Sequence, residues 1–285
     1  MEYNNEVNAH ALSALQSRLL DMLGWYHRFC EENSLRYYVL GGTMLGAARH
    51  GGFIPWDDDV DVGMPRKDYQ KFLRLCAGKR FGSYVVESAD SSAREYLYGF
   101  SKVYDVSTTL VERAKLPVKR GVYLDLFPLD GICDSEQESI RRAKKLIMQY
   151  NFLLTRICAQ RDGRSFYKSA AIFAAQLIPD FIIDNKSLMR RIDKKYAERP
   201  YDDYGYVANL YGNWGIREMM PRSVFGTPTL YSFENMKVFG AEKYDEYLTS
   251  LYGDWRKLPP EEKRVTHHDY EFCDLEQSYL EESRP

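Results

Sequence analysis

One short run limits what this chain can fold into more than any other: Pro55-Trp56-Asp57-Asp58-Asp59-Val60-Asp61-Val62-Gly63. Four carboxylates crowded this closely repel one another, so a fold that keeps them must supply positive charge. Read as a strand over about Asp58 to Gly63, the alternation sets Asp57, Asp59 and Asp61 on one face and Val60 and Val62 in the core. Neighbouring acids of that set then lie about 6.6 Å apart. A hard divalent cation answers this spacing, since magnesium takes one or two carboxylates together with phosphate oxygens, and manganese accepts the same donors. The competing reading is a solvated acidic turn, the commoner fate of a charge run. The flanking valines, the Pro-Trp pair and a Gly-Gly turn upstream speak against it.

The surroundings of the run define an architecture. Apolar residues recur at helical spacing from Asn8 to Glu32 (Leu12, Leu15, Leu19, Leu23), predicting an opening amphipathic helix. Leu35 to Leu40 reads as a buried strand that ends in Gly41-Gly42, and Thr43 is placed to cap a short helix through His50. Gly51 to Trp56 is a loop that delivers the chain to the acidic strand. A helix over Pro65 to Cys76 and strands at Ser83 to Glu87, Tyr98 to Tyr104, Thr109 to Glu112 and Val122 to Leu126 follow. Helices are predicted at Ser135 to Gln160, Ser165 to Ile178, Lys186 to Arg199 and Ala241 to Tyr252, with a short β-like insertion around Tyr206 to Tyr231. The fold class is therefore α+β: a catalytic core over residues 1–132 and a largely helical region over 133–285 that completes the site or continues the same domain.

Two further features join the acids. Backbone N–H groups of Gly41, Gly42 and Thr43, with a helix N-terminus behind them, can approach a phosphate. Asp125 is a lone acid inside the apolar strand Val122-Tyr-Leu-Asp-Leu-Phe127, where burial is costly without a partner or a metal. Asp57, Asp59, Asp61 and Asp125 are the candidate metal ligands; Asp59, Asp61 and Asp125 are the candidate catalytic residues. Arg49 and Lys102 are candidate phosphate contacts, with a solvated surface charge as the alternative for each. His267 and His268, adjacent in a charged segment, read as surface or acceptor-side residues, and Trp56 and Trp255 as packing or as a platform for a ring.

Composition excludes several classes. With 39 basic and 41 acidic residues there is no basic footprint for nucleic acid. Five cysteines without CxxC spacing read as reduced and mostly buried. Met1 to His10 lacks the basic start of a secretory leader, so a cytoplasmic location is expected. The apolar stretch Ala170 to Ile183 is interrupted by Gln176, Pro179 and Asp180 and is too short to span a bilayer. It is expected to be a core helix, or a contact with the inner face of a membrane.

The block Leu40-Gly-Gly-Thr-Met-Leu-Gly-Ala-Ala-Arg-His-Gly-Gly-Phe-Ile-Pro-Trp-Asp-Asp-Asp-Val-Asp-Val-Gly-Met64 closely resembles the signature of the LicD family, which includes bacterial phosphocholine transferases and is related to fukutin-type ribitol-phosphate transferases. Lys102-Val-Tyr-Asp105, Gly121 to Gly131, and Tyr247 to Trp255 with Leu258-Pro-Pro260 extend the resemblance. It implies a polymerase-β-like nucleotidyltransferase core that moves phosphocholine or a polyol phosphate from a CDP-linked donor to a sugar hydroxyl of a glycan, lipid-linked in some settings, with release of CMP. By position, Asp59 and Asp61 match the metal pair, Asp57 the acid before it, and Gly41 and Gly42 the turn. Where many members carry a proline, this chain reads Phe233-Glu-Asn-Met-Lys-Val-Phe-Gly240, a departure on the acceptor side. Two alternatives stay open: a nucleotidyltransferase that releases pyrophosphate, and a non-catalytic binding protein of the same fold.

Overall fold

The computed structural model describes residues 2–90, 96, 98–112, 119–157, 172–179, 182–266 and 270–280. Helix α1 (Glu2–Glu32) turns Leu15, Leu19, Met22, Leu23, Tyr26 and Cys30 inward at helical spacing. There follow β1 (Tyr38–Val39), α2 (Gly41–Arg49), β2 (Asp61–Pro65) and α3 (Arg66–Cys76). Next come β3 (Arg80–Phe81), β4 (Tyr84–Glu87), β5 (Ser101–Asp105), β6 (Thr109–Glu112), β7 (Lys119–Arg120), β8 (Tyr123–Gly131) and α4 (Glu136–Ile157). The C-terminal half carries a helix at Asn185–Tyr196 and another at Tyr244–Tyr252. It also carries strands β9 (Tyr206–Asn209), β10 (Met219–Pro221), β11 (Thr229–Phe233), β12 (Met236–Gly240) and β13 (Tyr270–Asp274). The α+β class expected from the sequence is thus observed, with β9 and β10 of the C-terminal half added to the core sheet, β11 and β12 paired with each other and β13 paired with β6.

The sheet is organised around β8, whose nine residues are all buried. One edge of β8 pairs in parallel with β2, and Asp61 lies opposite Asp125. The other edge is shared: β5 runs antiparallel to its first half, with Ser101 opposite Leu126, and β9 to its last third, with Leu129 opposite Asn209. Between these partners sit Phe127 and Pro128. The N–H of Asp125 donates to Val60 O on the β2 side. Alternation therefore turns the N–H position of residue 128 to the opposite edge, where neither β5 nor β9 reaches. Proline, which has no N–H to offer, fits this interior position because no ladder bond is due there.

Even-numbered residues of β8 face α1 and α3, where Tyr26 meets Phe72 with ring centroids 5.5 Å apart and Tyr69 bonds Ser101 at 2.6 Å. Arg66 of α3 forks onto Asp130 at 2.7 and 2.6 Å and reaches Asp193 at 2.9 Å, a buried ion cluster that ties the sheet to the helix Asn185–Tyr196. Odd-numbered residues, Tyr123, Asp125 and Phe127 among them, face the other way. That face holds the candidate site.

Three boundary differences from the sequence reading bear on the site. β2 starts at Asp61 rather than Asp58, so residues 57–60 form a loop and the alternation of the acids does not apply to them. Helix α2 starts at Gly41 after Leu40, with no side-chain cap, so Thr43 is not its cap. β8 runs on to Gly131, because a run such as Leu-Phe-Pro-Leu-Asp carries a proline that ordinarily argues against a strand. Cys30, Cys76 and Cys133 are buried as expected, and Cys273 is exposed. Cys158, His267 and His268 lie outside the described residues, as do residues 170, 171, 180 and 181 of the Ala170 to Ile183 stretch. No described helix is long and apolar enough to cross a membrane.

Candidate active site

The acidic loop is fixed almost atom by atom. Gln16 on α1 donates to Ile54 O at 3.2 Å and to Asp57 O at 2.9 Å. The N–H of Asp57 closes a turn onto Ile54 O, Tyr270 donates to Asp58 O, and Val60 O receives Asp125 N–H. Thr43 is 2% exposed, and its hydroxyl accepts the Asp61 N–H at 2.9 Å. Its side chain thus positions the acid strand. At the entrance to the loop, Phe53 N–H donates to Glu234 Oε1 at 2.9 Å from the β11–β12 turn.

Among the described residues, Asp57, Asp58 and Asp59 can each bring one carboxylate oxygen within 4.8 Å of the others, a set able to hold a cation. Strand alternation would turn Asp58 away from the other acids; in a loop that constraint vanishes. Asp61 sits beside them. Its carboxyl is pushed well above the usual range, first by burial and then by the negative charge of Asp59, Asp125, Asp57 and Glu218. Five acids thus share one field. A divalent cation fits this donor set, since hard oxygen ligands and surplus negative charge are what magnesium requires.

Gly41 and Gly42 make room for those carboxylates. A Cβ on Gly42 would meet Asp57 Oδ2 at 2.8 Å, and one on Gly41, whose φ is +48°, would meet Asp61 Oδ2 at 3.3 Å. The N–H of Gly41 donates to the Tyr247 hydroxyl at 2.9 Å, so it is not the phosphate contact the turn suggested. Lys102 is corrected too. It lies opposite Asp125 on β5, 3% exposed, with Nζ 2.9 Å from Asp125 Oδ1 and 3.3 Å from the Tyr123 ring centre. It holds Asp125 in place beneath the cavity, whose lining includes Asp125 but not Lys102.

The acids open into a cavity of about 700 Å³ lined by Asp57, Asp59, Asp61 and Asp125. One wall comes from the gap beside Phe127, with Phe100, Asn209, Tyr211 and Trp214. Phe100 and Phe127 stack with centroids 4.4 Å apart. Glu218 joins this wall. It is 5% exposed and accepts the Trp214 N–H at 2.9 Å, and burial pushes its carboxyl up to about 7. Nothing in the local sequence marks Glu218, an acid in a short 3-10 turn far along the chain from the acidic loop. Trp56, Tyr252, Trp255, Lys257 and Lys263 also line the cavity, Tyr252 edge-on to Trp214 with ring centroids 4.8 Å apart. Arg49 joins the lining and donates to Trp255 O at 3.0 Å, so this cation braces the lining while it faces the cavity.

Comparison with known proteins follows the same residues. The family described as "LicD/FKTN/FKRP, nucleotidyltransferase domain" matches residues 34–151, which hold the acidic loop, β2, β5 and β8. The Haemophilus influenzae protein named lipopolysaccharide cholinephosphotransferase LicD is 28% identical over 253 residues, covering 87% of this chain and 92% of its own length. The human and mouse proteins named ribitol 5-phosphate transferase FKRP are 47% identical over 57 residues, which is 20% of this chain and 11% of theirs.

Proposed function

We propose that this chain is a metal-dependent phosphotransferase of the LicD type, a reading supported by the match of residues 34–151 to the LicD/FKTN/FKRP nucleotidyltransferase domain. It moves phosphocholine or a polyol phosphate from a CDP-linked donor to a sugar hydroxyl of a glycan and releases CMP. The observation that carries this reading is the convergence of Asp57, Asp59, Asp61 and Asp125 at one end of a cavity with aromatic and cationic walls. The names of the relatives, a cholinephosphotransferase and ribitol 5-phosphate transferases, support the class of group transferred.

The roles follow from chemistry. Transfer of a phosphoryl-type group needs the donor held in line and its developing charge neutralised, with little covalent help from protein. Asp57, Asp59 and Asp61, with Asp58 alongside, would hold magnesium or manganese, which supplies that neutralisation when bound. Lys102 keeps Asp125 oriented from below. Arg49, Lys257 and Lys263 give the lining the charge to meet phosphate oxygens, and Trp56 offers a flat face to a base or sugar, while Trp255, buried beneath Arg256, packs behind them. Glu218, its carboxyl near 7, takes the proton of the attacking hydroxyl as the new P–O bond forms and the bond to CMP breaks.

The test incubates the protein and an Asp59→Ala/Asp61→Ala variant with CDP-choline, CDP-ribitol or CDP-glycerol, magnesium and candidate glycans. CMP release that requires metal and disappears in the variant is expected. Pyrophosphate release from a nucleoside triphosphate would instead establish a nucleotidyltransferase. Nucleotide binding without turnover, whatever the donor or acceptor, would establish a binding protein.

A further inference from the structure

Helix α4 has two faces with opposite duties. Ala143, Leu146, Tyr150 and Leu153 are buried, and Tyr150 packs edge-on against Tyr211 of the cavity wall with ring centroids 4.9 Å apart. The opposite stripe, at i, i+4, i+7 and i+11, is Arg141, Lys145, Met148 and Phe152, all exposed. Met148 is 65% and Phe152 40% exposed, an unusual surface for side chains of this size. The segment 172–179 lies against the same helix, since buried Arg156 of α4 donates to the carbonyls of Ala175 at 2.9 Å and Ile178 at 3.1 Å. This segment carries Phe173, 59% exposed, and Leu177, 63% exposed, with Ile182 just beyond at 61%.

The charge beside this patch is largely basic, with Glu198 against Arg142 and Asp184 near Ile182 as acids at its margin. After Glu138, α4 contains no acid through Ile157, and Lys144 joins Arg141 and Lys145 at the surface. The neighbouring helix Asn185–Tyr196, bonded to α4 through Lys195 and Gln149 at 3.1 Å, exposes Arg191 and Lys194. The whole chain is slightly acidic, so the local excess is a property of this face. Apolar side chains beside a basic stripe on a helix too polar to span a bilayer match the chemistry of an anionic lipid surface: headgroups meet the lysines and arginines, and acyl chains meet Met148 and Phe152.

We propose that this face docks on an anionic lipid bilayer. Only the thickness of one helix, about 10 Å, then separates the membrane from the cavity wall at Tyr211. Docking brings the cavity beside a membrane-borne acceptor, a consequence that rests on the transferase reading; the docking itself does not.

Flotation of the full chain with phosphatidylcholine vesicles, with and without phosphatidylglycerol, tests the proposal. The unaltered protein is expected to float only with the anionic vesicles and to be released by salt. Arg141→Glu/Lys145→Glu and Met148→Ser/Phe152→Ser are each expected to lower partitioning roughly tenfold or more. All four positions are exposed, so circular dichroism should show an unchanged fold. Equal partitioning of either variant and the parent, or no preference for anionic vesicles, overturns the proposal. So does a self-association that Met148→Ser/Phe152→Ser abolishes while no vesicle binding is seen, because the face would then bind a second copy. A protein that floats but releases no CMP from any donor sinks the transferase reading and leaves docking standing. One that releases CMP and ignores vesicles does the reverse.

Discussion

At the scale of single residues, the site depends on atoms that are absent. Gly42 has no side chain where Asp57 Oδ2 needs the space, since a Cβ would sit 2.8 Å away. Gly42→Ala should leave the fold intact, because a carboxylate can swing aside at small cost. Moving Asp57 should weaken magnesium binding roughly tenfold, given how steeply affinity depends on ligand placement; calorimetric titration reads this, and an unchanged affinity would remove Asp57 from the metal set. The acids were legible in the sequence because four of them in one apolar-flanked run have few structural explanations. Asp58 and Glu218 were not. The first was hidden by a strand boundary three residues off, the second by lying on a turn whose local pattern carries no period. Lys102 was visible as a cation near the site, but only the pairing of β5 with β8 shows that its charge is directed at Asp125.

At the scale of elements, the acidic loop is held from outside its own neighbourhood. The β11–β12 hairpin presents Glu234 at its turn, with φ at +52°, and this residue binds the loop twice: its N–H donates to Gly51 O at 2.7 Å and its Oε1 accepts from Phe53 N–H. Glu234→Ala should cost about 1–2 kcal/mol in urea unfolding and also weaken magnesium binding. Glu234→Gly, free of the backbone strain at that φ, should cost less stability for a similar loss of metal affinity. If both variants bind magnesium as the parent does, the hairpin supports the fold and not the site. Long periodic elements such as α1 and α3 could be placed from sequence. This hairpin could not be tied to the acidic loop, because a contact between distant residues leaves no trace in local spacing.

For the molecule as a whole, the crowded acids couple stability to pH and to metal. Glu218 is raised from an ordinary value of 4.5 to about 7, and Asp61 is raised as well. In the metal-free protein the native state then holds protons that the unfolded chain has released. The stabilisation is fully present below the unfolded value and is lost as pH rises through the folded one. Thermal stability without metal should therefore fall between about pH 5 and pH 7, by about 3 kcal/mol if Glu218 alone titrates. Saturating magnesium should restore stability most at the higher pH, where fewer protons compete for the same oxygens. Melting curves across pH with EDTA or magnesium check this, and parallel curves would mean that the acids and the metal do not meet.

The shared edge of β8 bears on how such a chain assembles. One strand must recruit β2 from far upstream, β5 from close by and β9 from about eighty residues downstream, so the sheet closes late and through distant contacts, the arrangement that slows folding. Until β9 arrives, the backbone of Leu129 to Gly131 is an open edge, and the wall bearing Asn209, Tyr211 and Glu218 does not exist. During synthesis the acidic loop would emerge first and its enclosure last, leaving a nascent chain that can gather its acids before it can shelter them and that is open to wrong strand partners in the interval.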